Sequence, residues 1–402
     1  MYSESTFSRN FSVSYQLRLS TTERAFAPGN HSLLDLLEAP AGRPARALVF
    51  IDEGIAQADP SLERQIVRWF AAHEGNGVQL AAAPERVVGG EAAKADLSIP
   101  ELVGRMAMEQ GLCRHSYIIA IGGGAVLDAV GLGAALTHRG VRLIRMPTTV
   151  LAQNDAGLGV KNGVNAFGNK NFFGTFQPPW AILNDRAFLD LLPQRQWRAG
   201  IAEAVKVAII KDREFLAWIG ANAQAIAERD RSAMHQLVDR CAVLHLDHIT
   251  TSGDPFETGS SRPLDFGHWS AHRLEVLSKH RLCHGEAVAI GVAIDLFYAA
   301  ELGRVSADEV DAVCTALETV GFRLWDDVLT LRDRDGRRSV LTGLGQFREH
   351  LGGELTLAMP DGLGNRSDIH EFSEDLCERA LRQLLLRDRE RRRGNESARH
   401  EL

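Results

Sequence analysis

The sequence has little cysteine, no long apolar run and no large excess of charge. Its five cysteines are scattered and form no Cys-x-x-Cys pair, which argues against a disulfide framework or a zinc knuckle and favours a reducing, cytoplasmic setting. No stretch approaches the roughly 18 consecutive apolar residues of a transmembrane helix, and the polar segment 1–10 does not resemble a signal peptide. A formal net charge of -7 argues against a general nucleic-acid-binding protein, but it leaves a small anionic substrate open.

Short apolar runs alternate with helical patterns over the first part of the chain. The runs at 47–53, 79–83, 117–121 and 141–145 are predicted strands, and the intervening segments 65–73, 102–111 and 125–136 have helical spacing. This alternation predicts a parallel sheet with helices on both faces. After Gln194 nearly every ordered stretch has a helical period, including 197–210, 223–245, 269–276, 287–302, 307–320 and 375–386.

These patterns predict a chain of two domains and a tail. We expect a Rossmann-like α/β domain over 1–192, an all-α domain over 193–386, and a charged, disordered tail over 387–402. The cleft between the two domains is the expected position of the functional site.

Three consecutive glycines stand where a predicted strand meets a helix. Gly122, Gly123 and Gly124 would let a pyrophosphate approach the backbone at a helix N-terminus, and Asp128 follows one turn later. Asp52, at the end of the first strand, is a candidate for a ribose hydroxyl. Tight strand–helix turns also use glycine, so this feature alone leaves a cofactor site and a purely structural turn both open.

The segment 145–183 is rich in glycine and asparagine and concentrates specialised side chains. Its lysines suit a phosphate group as point charges. A loop that wraps a ligand and an irregular surface loop are the two interpretations of such a segment. Its notable residues are Thr148, Thr149, Asn154, Asp155, Lys161, Asn162, Lys170 and Asn171.

Taken in order, these motifs resemble those of the dehydroquinate synthases and their sugar phosphate cyclase relatives. The matching pieces are the segment 147–171, the triple glycine with Asp128, Gly90-Glu91 with Lys94, the helix 200–206, the Phe266-Gly267-His268 run with His272, and His284-Gly285-Glu286. The resemblance extends from about residue 45 to 365. It implies an α/β domain followed by a helical domain, with NAD⁺ and a divalent cation as cofactors.

The resemblance implies that Glu203, His268 and His284 hold the metal, Zn²⁺ or Co²⁺. One carboxylate and two imidazoles leave coordination positions open for substrate. Spacing alone would not select this set, because Glu203 precedes its nearest partner by some 65 residues and His268 with His272 is the more natural helical pair. His245, His248 and His280 are interpreted as ordinary histidines.

The resemblance also implies roles for further residues. Those expected to act in catalysis are Asp155, Lys161, Lys206, Asp265 and His272. Those expected to bind substrate or its phosphate are Arg139, Lys161, Asn171, Lys206, Arg262, His272 and His350, with Arg139 reaching across a homodimer. Those expected to bind cofactor are Asp52, Glu91, Lys94, Gly122, Gly123, Gly124, Asp128, Thr148, Thr149, Asp155, Lys170 and Asn171.

The implied reaction is redox-neutral overall. NAD⁺ takes a hydride from a ring carbinol held on the metal, phosphate leaves by β-elimination, the hydride returns, and an intramolecular aldol step closes a carbocycle. The metal is expected to lower the pKa of the carbinol. The protein is expected to contribute mainly by holding one flexible molecule in the reactive orientation through several steps.

The sequence departs from dehydroquinate synthase where that enzyme receives a substrate carboxylate. The family asparagine is Asp265, the family arginine position falls on Ser261 with Arg262 shifted by one, and a family lysine aligns with Asp247. Because acids repel a carboxylate, a carboxyl-free sugar phosphate is expected. The pattern is similar to that of sedoheptulose 7-phosphate cyclases. The family's C-terminal lysine is also missing, with Arg348 or His350 in its region.

Three alternatives remain at this stage. The first is a true dehydroquinate synthase, against which Asp247 and Asp265 argue. The second is an NAD-dependent polyol dehydrogenase, which would have no use for a phosphate cradle of Arg139, Lys161 and Lys170. The third is a non-catalytic homologue, which the complete set of metal ligands disfavours.

Overall fold

The computed structural model describes residues 6–256, 259, 262–350 and 354–400, except for the side chains of 349–350 and 395–400. Its strands are β1 (Leu19–Thr22), β2 (Ala45–Asp52), β3 (Val78–Leu80), β4 (Glu85–Val87), β5 (Tyr117–Gly122), β6 (Arg142–Pro147), β7 (Lys161–Ala166), β8 (Asn169–Phe176), β9 (Ala181–Asp185), β10 (Leu357–Pro360) and β11 (Arg366–Ile369).

The α/β half is built on one parallel sheet. Within the described residues its strand order is β1-β9-β6-β5-β2-β3, with β4 pairing further along β2. Every residue of β5 is buried. Such continuous burial is typical of a parallel strand that is covered by helices on both faces. The predicted α/β architecture is therefore confirmed.

The helices lie between these strands and throughout the second half. They are α1 (Glu53–Ala58), α2 (Leu62–Ala72), α3 (Ser98–Glu109), α4 (Gly124–Leu136), α5 (Ala187–Asp190), α6 (Gln194–Ala199), α7 (Ile201–Lys211), α8 (Arg213–Ala227), α9 (Arg231–Thr251), α10 (His268–Leu277), α11 (His284–Glu301), α12 (Ala307–Val320), α13 (Thr342–His350) and α14 (Glu374–His400). None of the helices in the described part of the chain has both the length and the apolar character needed to cross a bilayer.

Two predicted segments differ from the structure. The stretch 223–245, predicted as one helix, is divided between α8 and α9, because Arg229 takes a left-handed conformation (φ 68°) and the Asp230 side chain caps α9 by accepting from Ala233 N. The segment 145–183, predicted as a loop, contains the β7–β8 hairpin and the strand β9. The hairpin escaped prediction because β8 is almost entirely exposed and lacks an apolar alternation.

The expectation of a disordered tail from residue 387 is wrong for the residues that the structure describes. Helix α14 continues to His400. Arg387 Nη2 and Arg391 Nη1 lie 2.9 and 3.1 Å from Glu318 Oε2 on α12, and Arg387 also pairs with Asp311. The charged side chains at the start of this segment therefore dock the helix against the protein.

A close crossing of two helices fixes the start of α10. Gly267 has φ +78° and immediately precedes α10, and a Cβ on Gly291 of α11 would lie 2.2 Å from the Gly267 carbonyl oxygen. Asp295, also on α11, accepts from Gly267 N at 2.9 Å and from Trp269 Nε1 at 2.8 Å. These contacts hold the residue that follows, His268, in a fixed position.

We predict that Gly291→Ala lowers the free energy of unfolding by about 1–3 kcal/mol, because the new methyl group meets a backbone oxygen rather than a flexible side chain. The measurement is chemical denaturation. The matched control is Gly220→Ala in α8, where a Cβ meets nothing within 4 Å, and this change should stabilise the protein by about 0.5–1 kcal/mol. Equal effects of the two substitutions would contradict the close crossing.

Candidate metal and nucleotide site

Three side chains from three helices converge to form a candidate metal site. Glu203 on α7, His268 at the start of α10 and His284 at the start of α11 offer ligand atoms that all lie within 4.8 Å of one another. Glu203 Oε1 is 3.2 Å from His284 Nε2 and 3.8 Å from His268 Nε2. The structure thus brings together residues that are far apart in the sequence.

The chemistry of these three groups fits a divalent cation. Both oxygens of Glu203 are fully buried, with Lys206 beside Oε2 and the two imidazoles facing Oε1. Burial and the charge of Lys206 lower the pKa of His268 to about 4, which leaves its imidazole neutral and able to ligate. Burial acts to lower the pKa of His284, but hydrogen bonds to Glu203 and Glu275 raise it to about 10. A bound cation would therefore displace a proton from this ring.

Lys206 occupies the same face of α7 as Glu203. Its Nζ lies 2.5 Å from Glu203 Oε2, and its side chain is 2% exposed. Burial alone would lower its pKa, but the charges of Glu203, Asp155 and Asp265 raise it, so the ammonium group remains charged. A buried charged lysine at this position can donate to a substrate hydroxyl.

A second, partly buried acid acts on this lysine. Asp155 lies in a short π-helical turn, Ala152–Ala156. Burial opposes ionisation of Asp155, but the charge of Lys206 lowers its pKa. Its Oδ1 is 3.0 Å from Nδ1 of His245, which comes from α9. His245, interpreted from the sequence as ordinary, is therefore part of the buried network.

Asp265 extends the same network. It lies at the end of a 3₁₀ turn that follows Arg262. Burial opposes ionisation, but the charges of His268, Lys161, Lys206 and Arg262 lower the pKa of Asp265. Four predicted site residues thus act electrostatically on this carboxyl group.

The triple glycine forms an open cradle at the carboxyl edge of the sheet. Gly122 ends β5 and Gly124 begins α4, and no side chain caps the helix. Added Cβ atoms would meet Val126 at 2.8 Å from Gly122 and Ala156 at 3.0 Å from Gly124. The free N–H groups of the first turn suit a pyrophosphate.

Neighbouring residues complete this cradle. Asp52 caps α1 through Gly54 N at 2.8 Å, and burial raises the pKa of its carboxyl. Thr148 N donates to Gly122 O at 3.0 Å, and Thr149 Oγ1 accepts from Ala152 N at 3.1 Å. The backbone that follows β6 is therefore held beside the glycine turn.

The hairpin is tied to the cradle by a polar cluster. Lys94 Nζ lies 2.5 Å from Asp128 Oδ2 and 2.8 Å from Asn171 Oδ1. Glu91 Oε1 accepts from Asn165 Nδ2 at 3.2 Å, and Lys170 Nζ is 3.9 Å from the same oxygen. Five residues predicted to bind cofactor thus lie in or beside one cluster.

A buried arginine shapes the approach to the hairpin. Arg145 is fully buried, and its guanidinium donates to Gly157 O (3.2 Å), Gly159 O (2.7 Å), Lys161 O (2.7 Å) and Asn162 Oδ1 (2.8 Å). These bonds fix the backbone that carries Lys161. No sequence pattern distinguished this arginine from the end of a strand.

Other predicted residues lie apart from the buried network or outside the described atoms. Arg139 is exposed beyond the C-terminal end of α4. Asp247 is exposed on α9, and its charge acts on Lys211. The side chain of His350 and all of Ser261 lie outside the described residues. His272 is half-exposed, with its ring centroid 5.7 Å from that of His284.

The α/β half thus ends a buried strand in a glycine turn, and the helical half brings Glu203, His268 and His284 together. Residues 85–199 match the family described as 3-dehydroquinate synthase N-terminal, and residues 200–334 match 3-dehydroquinate synthase C-terminal. The chain belongs to the dehydroquinate synthase superfamily and is one of its sugar phosphate cyclases.

Individual relatives include two kinds of cyclase. A 2-epi-5-epi-valiolone synthase of Streptomyces glaucescens is 34% identical over 72% of this chain and 73% of its own length. A 3-dehydroquinate synthase of Dichelobacter nodosus is 38% identical over 66% of this chain and 71% of its own length. The solved structure of ValA, a 2-epi-5-epi-valiolone synthase from Streptomyces hygroscopicus subsp. jinggangensis with NAD⁺ and Zn²⁺ bound, has a TM-score of 0.82 and 27% identity, covering 95% of this chain and 99% of its own.

We predict that Arg145→Lys lowers the free energy of unfolding by at least about 2 kcal/mol, because one ammonium group cannot reach the four buried and partly buried acceptors that the two Nη groups of Arg145 serve. Denaturant unfolding measures this loss. Arg46→Lys is the control, since Arg46 Nη1 makes its shorter bond, 2.8 Å, to one carbonyl of a surface turn, and that change should stay within about 0.5 kcal/mol. Similar losses in both variants would contradict the role given to Arg145.

Proposed function

We propose that this protein converts sedoheptulose 7-phosphate, or a closely similar C7 ketose phosphate, into a carbocyclic cyclitol with release of phosphate. The observation that carries the choice of substrate is Asp265. The charges of His268, Lys161 and Lys206 lower the pKa of its carboxyl, which stands three residues before the proposed metal ligand His268. A substrate carboxylate brought into this poorly solvated position would be repelled, whereas a hydroxyl would find an acceptor.

NAD⁺ and a divalent cation, Zn²⁺ or Co²⁺, are the proposed cofactors. The uncapped glycine turn suits the pyrophosphate, and Glu203, His268 and His284 suit the cation. The ValA structure, which holds NAD⁺ and Zn²⁺, supports this assignment. When bound, these groups supply a transient hydride acceptor and polarise the substrate oxygen that is oxidised.

The protein's own residues bind and orient the substrate. Asp155 and Lys206 are an acceptor and a donor held in place by buried contacts, so we assign them to ring hydroxyls. Lys161, Asn171, Arg262 and His272 are assigned to the phosphate, whose departure their charges and N–H groups stabilise. His350 is proposed for the far end of the substrate on the basis of the family resemblance.

A 3-dehydroquinate synthase is the second candidate, and the family match and the Dichelobacter relative favour it. Asp265 argues against it. The exposed position of Asp247 removes one of the two acids on which the sequence argument relied, so Asp265 alone carries that argument. A polyol dehydrogenase is disfavoured, because it would make no use of Lys161, Asn171 and Arg139 as a phosphate cradle.

We expect the protein, supplied with NAD⁺ and Zn²⁺ or Co²⁺, to release inorganic phosphate from sedoheptulose 7-phosphate without net formation of NADH. The seven-carbon keto acid phosphate of dehydroquinate synthase should give little or no phosphate, because its carboxylate meets Asp265. Phosphate release and NADH absorbance are measured together for each substrate.

The variant Asp265→Asn tests whether the Asp265 carboxylate selects the ketose phosphate over the keto acid phosphate. It should lower turnover of the ketose phosphate by about tenfold or more and reduce discrimination against the keto acid, because one like-charge repulsion is removed. Phosphate release by the wild type from the keto acid alone would overturn the proposal. Accumulation of NADH from a simple polyol would favour the dehydrogenase.

We also propose a homodimer in which Arg139 serves the partner's site. The thirteen residues of α4 make it about 20 Å long. The glycine cradle lies at one end of this helix and Arg139 beyond the other, so the arginine side chain is too short to reach the cradle of its own protomer.

The test is a purified heterodimer of Arg139→Ala and His284→Ala chains that carry different tags. If Arg139 acts across the interface, one of the two sites is intact, and activity should be roughly half that of the wild-type dimer. Each homodimeric variant should be nearly inactive. Near-zero activity of the heterodimer would mean that Arg139 acts within its own chain, and full activity of the Arg139→Ala homodimer would mean that it acts in neither site.

A further inference from the structure

A buried carboxylate outside the metal triad contacts groups from both halves of the molecule. Glu275, on α10, is 6% exposed. Its Oε2 lies 3.4 Å from His284 Nδ1 and 3.3 Å from His272 Nδ1. Its Oε1 lies 3.4 Å from Nζ of Lys170, which projects from the hairpin of the α/β half. No sequence motif discussed above drew attention to this residue.

The geometry points to Glu275 as a positioning residue that sets the orientation and tautomer of His284, so that this ring meets the divalent cation through Nε2. This inference rests on the metal site of the proposed function. The imidazole of His284 stands between two carboxylates, with Nε2 3.2 Å from Glu203 Oε1 and Nδ1 facing Glu275. A proton kept on Nδ1 leaves the lone pair on Nε2, where the triad needs it.

The contact with His272 extends this role to a second ring. His272 and His284 share one oxygen of Glu275, and their rings lie nearly parallel, with an interplanar angle of 28° and centroids 5.7 Å apart. The carboxylate therefore holds the proposed phosphate-binding histidine against the proposed metal-binding one. His272 itself is half-exposed, so Glu275 is the fixed member of this pair.

Lys170 supplies a third side-chain contact to this buried carboxylate. Its Nζ lies 3.4 Å from Glu275 Oε1, while the two imidazoles face Oε2. The charge of Lys170 also disfavours a second cation between His272, Glu275 and His284, although their ligand atoms lie within 4.8 Å of one another. A hydrogen-bonding role thus fits the surroundings of Glu275 better than ligation.

The test measures metal affinity directly, without turnover. Wild type, Glu275→Gln and Glu275→Ala are freed of metal and titrated with Co²⁺ and Zn²⁺ against a chelator of known affinity, and the bound ions are counted. We expect one ion per chain in all three proteins. The alanine variant should bind about 10–100-fold more weakly, as is usual when a carboxylate that orients a ligating histidine is lost. The glutamine side chain keeps one neutral acceptor, so the metal affinity of Glu275→Gln should lie between those of the wild type and the alanine variant.

Two controls separate this role from general damage. Glu318→Gln removes a similarly buried, ion-paired carboxylate far from the site, with a side chain 10% exposed, and should leave metal affinity unchanged while lowering thermal stability. Lys170→Met removes the lysine contact of Glu275 and leaves both imidazole contacts, so it should weaken metal affinity less than Glu275→Ala does. The absorption spectrum of bound Co²⁺ should change in the Glu275 variants and stay unchanged in Glu318→Gln.

Thermal unfolding curves show whether the Glu275 variants are folded. The inference is overturned if both variants are folded and bind Co²⁺ as tightly as the wild type. It is also overturned if the wild type binds two ions and the variants one, since Glu275 would then be a ligand. Neither result depends on the sugar phosphate. Failure of the proposed turnover with weakened metal binding in the variants would leave this inference standing.

Discussion

The organisation of the site depends on keeping the Glu203 carboxylate ionised where no water reaches it. A lone carboxylate in such a place would cost several kcal/mol and would take up a proton instead. Lys206, one turn along α7, offsets part of this cost. Asp155 and Asp265 bring further negative charge close to the same lysine, while burial keeps His268 neutral. Lys206 thus interacts with three carboxylates at once, and a divalent cation held by Glu203 and the two imidazoles would compensate part of their negative charge.

The fold was largely predictable because its central elements carry strong local signals. The strands β2, β5 and β6 are largely buried and appear in the sequence as short, mainly apolar runs, and the glycine turn stands where β5 ends. The elements that were missed bury little surface. β8 is exposed along most of its length, and the α8–α9 break depends on one left-handed residue. Local composition cannot distinguish an exposed hairpin from a loop.

The site was predictable only through motifs that lie far apart in the chain. Spacing would have favoured His268 with His272, whereas the structure pairs His268 with Glu203 and His284 through the packing of α7, α10 and α11. His245, Arg145 and Glu275 were missed for a related reason. Each acts through a contact with another functional segment, and a single histidine, arginine or glutamate in a helix or strand carries no sign of that contact in its own neighbourhood.

The β7–β8 hairpin contacts residues of both the α/β half and the helical half, and so links the two parts of the candidate site. At its base, Arg145 of β6 fixes the backbone up to Lys161. On one side, Asn171 meets Lys94 and, through it, the helix that starts at the glycine turn. On the other, Lys170 meets Glu275 beside the metal triad. Because the hairpin itself buries few apolar groups, these polar contacts fix its position relative to the rest of the protein. Its placement should therefore respond to the charges of a cofactor and a phosphate, the two ligands that we propose for Lys161, Lys170 and Asn171.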